Sequence, residues 1–443
     1  METPIYDFLR RYDADHVTRF HMPGHKGKAF LGCEHLDLTE IKGADALYEA
    51  DGIIAESEKH AGKLFGSQRT CYSTEGSSQC IRAMLYLALT NRPAGAAPVI
   101  VAARNVHKAF VHAAALLDFE IVWLWPEERR SLCGCPVSPE SLKKTLTALK
   151  EPPAAVYLTS PDYLGGMADI AALADVAHRH GTVLAVDNAH GAYLHFLTSA
   201  SHPLDLGADL CCDSAHKTLP VLTGGAYLHV GKTAPTAFLE HAKSALALFG
   251  STSPSYLTLA SLDLCNRYLA EDYAARLAET AERLENVRSQ LTKKGWQMES
   301  SDPLRLTICA PEGVTGVDLA QRLRAHSIEC EYADDAFLVL MVTPENDPSD
   351  LDRLVAVLGK NTAPMAIRPA LPLVRGEQVM SVRQALFASH ETVPTERSLG
   401  RVCGTPTVSC PPAIPIAVSG ERIGPEAISL FRHYGVQTVD VLK

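Results

Sequence analysis

The chain has 443 residues, of which 47% are hydrophobic and 21% are charged, a balance typical of a globular protein with a sizeable core. Its net charge is −10 and it has no long basic run, which argues against binding to nucleic acid or to an anionic membrane surface. The N-terminal stretch METPIYDFLRRYDADH is unlike a signal or transit peptide, and no uncharged apolar run is long enough to span a bilayer. We therefore expect a cytoplasmic protein whose twelve cysteines are reduced and mostly buried.

Residues 54–230 alternate between helical patterns and short apolar strands. Helices are predicted for IIAESEKHAGKLFG and SSQCIRAMLYLALTN, followed by the strand PVIVAA and the helix VHKAFVHAAALLD. The alternation continues through the strands EIVWLW and AAVYLTS, the helix IAALADVAHRHG, and the strands TVLAVD and DLCCDS. Buried strands interleaved with helices predict an α/β fold with a mostly parallel sheet, whose ligands bind at the carboxyl ends of the strands.

The pattern changes from about residue 256. The long charged stretch DYAARLAETAERLENVRSQLTKKG predicts a helix, and strands are predicted around LRLTICA and AFLVLMV, on either side of the helix VDLAQRLRAHS. We interpret this region as a small α+β domain. The predicted domains are an N-terminal arm over 1–30, a large domain over 31–255, the small domain over 256–360 and a C-terminal domain over 361–443.

Two polar residues at strand ends suggest a particular chemistry. Lys217, in DSAHKT, follows the strand DLCC, and Asp187 ends the strand TVLAVD. Burying an unpaired ammonium is costly, but a partly deprotonated lysine can form a Schiff base with a carbonyl. Pyridoxal phosphate enzymes need such a lysine, an acid for the pyridine nitrogen and donors for the phosphate. The alternative is that Asp187 caps a turn and Lys217 extends into solvent.

A phosphate site is suggested upstream of these residues. In STEGSSQCIRAML, Gly76, Ser77 and Ser78 begin a helix, where unpaired N–H groups favour an anion, although serine and glycine are also ordinary capping residues. His107 follows a strand and begins a helix, so its ring could stack on a cofactor or could be structural. His190, in DNAHG, would point towards the same crevice as Asp187.

Three other motifs carry less weight. VGKT (230–233) ends like a phosphate-binding loop, but residue 226 is alanine where such a loop needs its first glycine. HMPGH (21–25) has two histidines four residues apart, but the Pro-Gly between them breaks a helix, so we expect a loop near a ligand. Cys133 and Cys135 flank a glycine and are read as thiols rather than as a redox or metal site.

The motifs in their order resemble the Orn/Lys/Arg decarboxylase family of fold-type-I pyridoxal phosphate enzymes. They are FHMPGHKG, DLTEIKGADALYEADGII, STEGSS, RNVHKA, DNAHG, DSAHKT and STSPSYLTLASLD. The resemblance is strong over about 3–263 and weaker from there to PPAIPIAVSGERI. It is closest to the shorter bacterial form without an N-terminal wing domain, and it implies a large cofactor-binding domain with a seven-stranded sheet.

The resemblance implies roles for individual residues. Lys217 would form a Schiff base with pyridoxal 5'-phosphate, Asp187 would pair with the pyridinium nitrogen, and His107 would stack on the ring near the reacting carbon. These three are the implied catalytic residues, and no metal is expected. The residues implied to bind the cofactor are Gly76, Ser77, Ser78, His107, Asp187, Ala189, His190, Ser214, His216, Lys217 and Ser251.

The implied reaction is decarboxylation of arginine, lysine or ornithine to CO2 and the amine, a polyamine precursor. Ser251 falls where the family supplies a phosphate contact from the neighbouring subunit, which implies a homodimer with shared active sites and leaves higher oligomers open. An acid is needed to bind the cationic side chain of the substrate, and the candidates are Glu421, Glu391 and Asp162.

The sequence departs from the family at three motifs, one of which is TLPVLTGG after Lys217, where the enterobacterial members usually carry a Ser/Gln-containing stretch. Asn188 stands where the family often has glutamate, and SPDY (160–163) replaces NPTY. A second reading keeps the cofactor but makes the protein an aminotransferase or another lyase. Arg305, in LRLT, could then bind the α-carboxylate of the substrate, as an arginine of the small domain does in aminotransferases.

Overall fold

The computed structural model describes residues 1–92, 98–126, 131–364, 366, 370–408 and 412–443. These residues form fourteen α-helices and fourteen strands. The chain divides into two compact units, each made of two segments. The first unit is Met1–Ala94 with Ile170–Ala278, and the second is Gly95–Asp169 with Glu279–Lys443.

The first unit carries four strands, and helix α10 begins at its end. Its helices are α1 (Pro4–Ala14), α2 (Ile53–Leu64), α3 (Gly76–Thr90), α6 (Ile170–Arg179), α7 (Ala215–Thr218), α8 (Thr236–Ala247) and α9 (Tyr256–Ala270). Its strands are β1 (Arg69–Ser73), β5 (Val183–Asp187), β6 (Leu210–Asp213) and β7 (Ala226–Val230). Helix α10 (Tyr273–Lys293) leads from the first unit into the second.

The second unit carries the remaining elements. Its helices are α4 (Lys108–Leu117), α5 (Pro139–Ala148), α11 (Gly316–Arg324), α12 (Pro348–Leu358), α13 (Val382–Leu386) and α14 (Pro425–His433). Its strands are β2 (Val99–Ala103), β3 (Glu120–Leu124), β4 (Ala155–Thr159), β8 (Arg305–Cys309), β9 (Tyr332–Ala333), β10 (Phe337–Met341), β11 (His390–Pro394), β12 (Thr407–Val408), β13 (Pro415–Ala417) and β14 (Thr438–Leu442).

The main sheet has seven strands in the order β1-β7-β6-β5-β4-β2-β3. The pairs β2–β3, β2–β4 and β5–β6 are parallel, whereas β7 is antiparallel to both β1 and β6. Strand β6 is buried along its whole length, as expected for a strand with both faces covered. The α/β fold with a mostly parallel seven-stranded sheet is confirmed.

The small α+β region folds around a core of its own. Strands β8, β10 and β9 form an antiparallel sheet, and α11 and α12 contribute leucines to the same core. Both helices begin with a capping box, Thr315 with Asp318 and Asp347 with Asp350. The strands predicted around LRLTICA and AFLVLMV are therefore present, although the predicted domain boundaries stay a prediction.

The C-terminal segment has more regular structure than its proline-rich sequence indicates. It forms the two-stranded sheets β11–β14 and β12–β13, and α14 packs with them in one apolar core. Lys108 N donates to the Ala413 carbonyl (2.9 Å), which ties this segment to the start of α4 within the second unit. Among the described residues, no helix has the length and apolar character needed to cross a membrane.

Candidate active site

Asp187 lies at the carboxyl end of β5. In the parallel pair β5–β6 it stands opposite Cys212. Its side chain is buried, and Oδ1 accepts hydrogen bonds from Ala189 N (3.2 Å) and from Cys212 Sγ (3.7 Å). A buried carboxylate at this edge of the sheet can bind a cationic ring nitrogen, because an opposite charge favours the protonated form of that nitrogen.

Lys217 lies in α7, the single turn that follows β6. Its Nζ is 2.9 Å from Nε2 of His190, which belongs to the DNAHG loop after β5. The lysine is partly buried and the histidine is buried. An amine beside an imidazole can exchange a proton with it, which is what a lysine nucleophile requires.

The start of α3 lies in the same unit. The helix begins at Gly76, whose φ of +70° is in the region that favours glycine, and the preceding Glu75 makes no side-chain capping bond to the helix within the described structure. Ser77 and Ser78 are partly exposed. Helix α3 therefore begins with polar, incompletely covered donors, an arrangement suited to a phosphate.

His216 lies beside this helix start. A Cβ added to Gly76 would be 4.0 Å from His216 Cε1, which shows how near the ring comes. His216 Nδ1 donates to the Gly225 carbonyl (3.0 Å), so Nε2 is the nitrogen left for a ligand. Burial lowers the pKa of His216, although the Gly225 carbonyl opposes this shift. Ser214, the residue before α7, is buried.

A glycine pair that sequence analysis missed shapes this site. The Gly224 carbonyl accepts a hydrogen bond from Gly76 N (2.7 Å), and Gly224 has a φ of +97°. A Cβ on Gly224 would lie 2.6 Å from the Thr74 carbonyl oxygen, so no larger residue fits without a shift of backbone. The doublet in VLTGGAYLHV, after the lysine, was the available signal, because paired glycines before a strand often mark a close backbone approach.

Ser251 is exposed and lies near the start of α3 in the same chain. Its N–H donates to Glu75 Oε1 (2.5 Å). The preceding Gly250 has no room for a side chain, since a Cβ there would be 1.8 Å from Tyr48 Oη. The contact of Ser251 with a cofactor in a neighbouring subunit stays a prediction.

His107 belongs to the second unit and caps α4. Its Nδ1 accepts from Ala109 N (3.1 Å), which fixes the ring at the helix start. This bond is the structural role that the sequence left open for His107. The stacking role stays a prediction.

The three acids proposed to bind the substrate side chain have different surroundings. Glu421 is buried, with Oε2 3.3 Å from Arg104 Nη2 and 2.8 Å from Val418 N. Burial raises the pKa of Glu421, an effect that Arg104 opposes. Glu391 is exposed and pairs with Arg401 (2.7 Å). Both carboxylates already have an arginine partner.

Asp162 borders a cavity of about 880 Å³ within the second unit. Its Oδ1 accepts from Leu164 N (2.9 Å) and Gly166 N (2.8 Å). Burial raises the pKa of Asp162 to about 6, against the effect of these N–H groups. Glu421 also borders a cavity, of about 360 Å³, so Asp162 differs from it by bordering the larger of these two cavities and by having no ion pair with an arginine among the described residues.

Arg305 does not favour the aminotransferase reading. It is buried, and its Nη1 donates to the carbonyls of Tyr163 (2.8 Å) and Asp162 (3.3 Å). Its Nη2 also lies 3.5 Å from Asp302 Oδ2. The guanidinium serves to hold the second unit together, and Thr307 on the same strand donates to the Leu164 carbonyl (2.7 Å) in the same way.

The HMPGH stretch is a loop, and its histidines have protein partners. His21 Nε2 is 2.7 Å from Tyr12 Oη, and His25 Nε2 is 3.1 Å from Asp37 Oδ2. The loop's position near the entrance of the site stays a prediction. Cys133 and Cys135 are buried, and burial raises the pKa of the Cys133 thiol well above its usual range.

The residues of the first unit fit pyridoxal phosphate. The start of α3, with His216 beside it, can bind the phosphate, and the buried carboxylate of Asp187 can bind the ring nitrogen. Lys217, with its imidazole neighbour, can react with the aldehyde. These are the three functions that the cofactor requires from a protein.

Comparison with known proteins identifies relatives along nearly the whole chain. The family model described as Orn/Lys/Arg decarboxylase, major domain, matches residues 3–309. Arginine decarboxylase of Bacillus subtilis is 30% identical and the alignment covers 97% of this chain and 92% of that protein. Arginine decarboxylase of Bacillus anthracis is 28% identical with the same coverage.

Solved structures agree on the fold. Lysine decarboxylase A from Pseudomonas aeruginosa superposes with a TM-score of 0.83, covering 99% of this chain and 80% of that one at 18% identity. At that identity the likeness concerns the fold, which is the fold-type-I architecture predicted from the motifs.

Proposed function

Since this chain belongs to the Orn/Lys/Arg decarboxylase family and is an amino acid decarboxylase, we propose that arginine is its substrate and that Lys217 holds pyridoxal 5'-phosphate. The observation that carries the proposal is that a buried acid, Asp187, ends β5, while a contact between His190 and Lys217 joins the loop after β5 to the turn after the adjacent strand β6. The choice of arginine is supported by relatives named arginine decarboxylase, which align with nearly the whole chain.

Each residue has a distinct task in this proposal. When bound, pyridoxal phosphate supplies a conjugated electron sink for the electron pair left at Cα as CO2 departs. Asp187 would keep a proton on the ring nitrogen, and the first N–H groups of α3 with His216 would bind the phosphate. His190 would give and take the proton of Lys217 Nζ, because the two nitrogens are already 2.9 Å apart.

The cationic side chain of arginine requires an acid. Asp162 is our candidate, because the other two predicted acids pair with arginines of the protein. Its Oδ1 is held by two backbone N–H groups, which fixes the direction of the carboxylate. Bidentate binding of a guanidinium needs a carboxylate held in this way.

We also propose a cytoplasmic homodimer. Four apolar side chains close together in sequence are largely exposed: Phe20 (94%), Met22 (70%), Phe30 (80%) and Leu31 (90%). Several large apolar side chains exposed in one short segment support an association surface there. Sedimentation of the full-length protein tests this part of the proposal, which a monomer at micromolar concentration would contradict.

The substrate is tested by incubating the pyridoxal phosphate-loaded protein separately with arginine, lysine and ornithine, and measuring CO2 and amine by mass spectrometry. We expect CO2 and agmatine from arginine and far less product from the other two. Cadaverine or putrescine as the main product would replace arginine by lysine or ornithine. Cofactor binding without CO2 from any of them would overturn the decarboxylase assignment.

A further inference from the structure

The carboxylate of Asp213, at the end of β6, is the centre of a buried polar network. It has no exposed surface, and its Oδ2 lies 3.0 Å from His202 Nε2 and 3.2 Å from His229 Nε2. Burial favours the neutral acid, but the two histidines hold the pKa of Asp213 well below its usual range. The carboxylate is therefore charged at neutral pH and binds its neighbours strongly.

The network also includes a thiol. His202, Cys211 and Asp213 have polar atoms within 4.8 Å of one another, and Cys211 Sγ donates to Asp213 Oδ1 (3.6 Å). Burial raises the pKa of the Cys211 thiol well above its usual range, which favours the protonated form that donates this bond. His229 is fixed from its other side as well, with Nδ1 2.8 Å from Thr70 Oγ1.

The second oxygen of Asp213 binds the loop that follows β5. Its Oδ1 accepts from Asn188 Nδ2 (2.7 Å), while Asn188 N donates to the Cys212 carbonyl (3.0 Å). A Cβ on Gly191 would lie 2.1 Å from Asn188 Oδ1, so the amide also fills the space beside that glycine. An acid at position 188 would place two carboxylates in contact, and the amide is what Asp213 requires.

The same loop carries His190. The 188–191 loop begins with Asn188, which is bound by Asp213, and its third residue is His190, which contacts Lys217 Nζ (2.9 Å). Lys217 itself lies on the turn after β6, four residues beyond Asp213. One buried carboxylate therefore fixes both strand ends that meet at the lysine.

We infer that Asp213 is a positioning residue, which through Asn188 holds the 188–191 loop so that His190 contacts Lys217. The inference rests on the proposed function in one respect, because only that function gives the contact between His190 and Lys217 its purpose. The contact itself can be measured whether or not the cofactor binds. Asp213 acts through its hydrogen bond with Asn188, a role that needs no contact with substrate or cofactor.

The test measures how fast the Lys217 amine reacts. Full-length protein, cleared of pyridoxal phosphate with hydroxylamine, is pulsed with an acylating reagent at pH 7, and acylation of Lys217 is quantified by peptide mass spectrometry. Asp213→Asn frees the 188–191 loop and so disturbs the contact of His190 with Lys217 Nζ, and we expect the acylation rate of Lys217 to change by at least about threefold. Asn188→Ala breaks the same connection without a charge change and should act in the same direction.

Asp209 supplies the matched control. It directly precedes the first residue of β6, it is buried, and it pairs with His178 (2.8 Å). Asp209→Asn therefore also removes a buried carboxylate that has a histidine partner. We expect Asp209→Asn to leave Lys217 acylation unchanged. The double variant Asn188→Asp with Asp213→Asn, the exchanged pair, again has one carboxylate and one amide at these two positions. It should return the acylation rate of Lys217 to within about twofold of the wild type.

The cofactor-loaded protein provides a second measurement. In Asp213→Asn we expect the pH midpoint of the visible absorption band to shift while Lys217 still holds the cofactor, and the exchanged pair should restore it. Wild-type acylation rates in both Asp213→Asn and Asn188→Ala would overturn the inference, as would an equal change in Asp209→Asn. A wild-type protein that binds no cofactor but shows the expected acylation rates would refute the proposed function and leave the positioning role supported.

Discussion

Lys217 Nζ and His190 Nε2 lie 2.9 Å apart, although 27 residues separate them in the sequence. The two nitrogens meet because β5 and β6 are adjacent and parallel, so that the loop after one strand reaches the turn after the other. Parallel pairing thus brings two separate motifs, DNAHG and DSAHKT, into one lysine–histidine contact.

Replacing His190 should slow the reaction without releasing the cofactor. In His190→Gln the amine loses its proton partner, and we expect kcat to fall by about 100-fold while the absorption band of the bound cofactor persists. His195→Gln is the control, since His195 is a partly exposed histidine of the same unit that pairs with Asp205 (2.9 Å). An undiminished kcat in His190→Gln would show that another group transfers the proton.

The glycine pair should matter for the phosphate. Gly224→Ala forces a Cβ to within 2.6 Å of the Thr74 carbonyl oxygen and displaces the turn before α3. We expect the Kd for pyridoxal phosphate to rise by at least about tenfold. This rise should exceed the effect of placing an alanine at a positive φ elsewhere in the chain. In Gly400→Ala the φ is also positive (+76°), but a Cβ would meet nothing within 4 Å. Equal cofactor affinity in the two variants would contradict this role.

Glu421 should act on stability rather than on substrate binding. Glu421→Gln leaves Arg104 buried without its counter-charge, and we expect the free energy of unfolding to fall by about 3 kcal/mol. The exposed pair of Glu391 with Arg401 should be worth less than about 1 kcal/mol when Glu391→Gln is measured in the same way. If Glu421→Gln instead raises KM for arginine with little loss of stability, Glu421 binds the substrate.

The N-terminal helix should respond to pH through Asp263. Its carboxylate accepts from Ile5 N (2.9 Å) and Tyr6 N (3.0 Å) at the start of α1, and burial raises its pKa from 3.8 to about 6, against the effect of those bonds and of Ser57. Because the folded protein binds this proton more tightly than the unfolded chain, the contribution is present at low pH and is lost as pH rises from about 4 to 6.

Urea unfolding at several pH values measures this effect. Relative to Asp263→Asn, the free energy of unfolding of the wild type should fall by up to about 3 kcal/mol between pH 4 and pH 6. A difference between the two proteins that does not change with pH would contradict the raised pKa.

Much of the fold could be predicted because its signals are local. The apolar runs TVLAVD and DLCCDS are buried strands, and both are too short for a typical helix, while TVLAVD is also rich in β-branched residues. The C-terminal segment was harder, because its strands are short and owe their stability to packing with residues such as Leu132, which precede them by more than 200 positions.

The site was predictable where a residue type carries chemistry by itself. Lys217, Asp187 and Gly76 attract notice from their place at strand or helix ends. Asp213 did not, because an aspartate at a strand end looks like an ordinary turn residue in the sequence. Its two histidine partners lie 11 and 16 positions away in the sequence, and only the fold brings them into contact with it. Gly224 was missed for the same reason, because its need for a bare backbone comes from Thr74, on another part of the chain.

The proposed function depends above all on the attachment of the cofactor to Lys217. The purified protein should be loaded with pyridoxal phosphate, reduced with borohydride, digested and mapped by mass spectrometry. We expect a pyridoxyl group on Lys217, in the peptide that contains DSAHKT, and none there in Lys217→Ala. Modification of other lysines with Lys217 unmodified, or no stable modification at all, would contradict it.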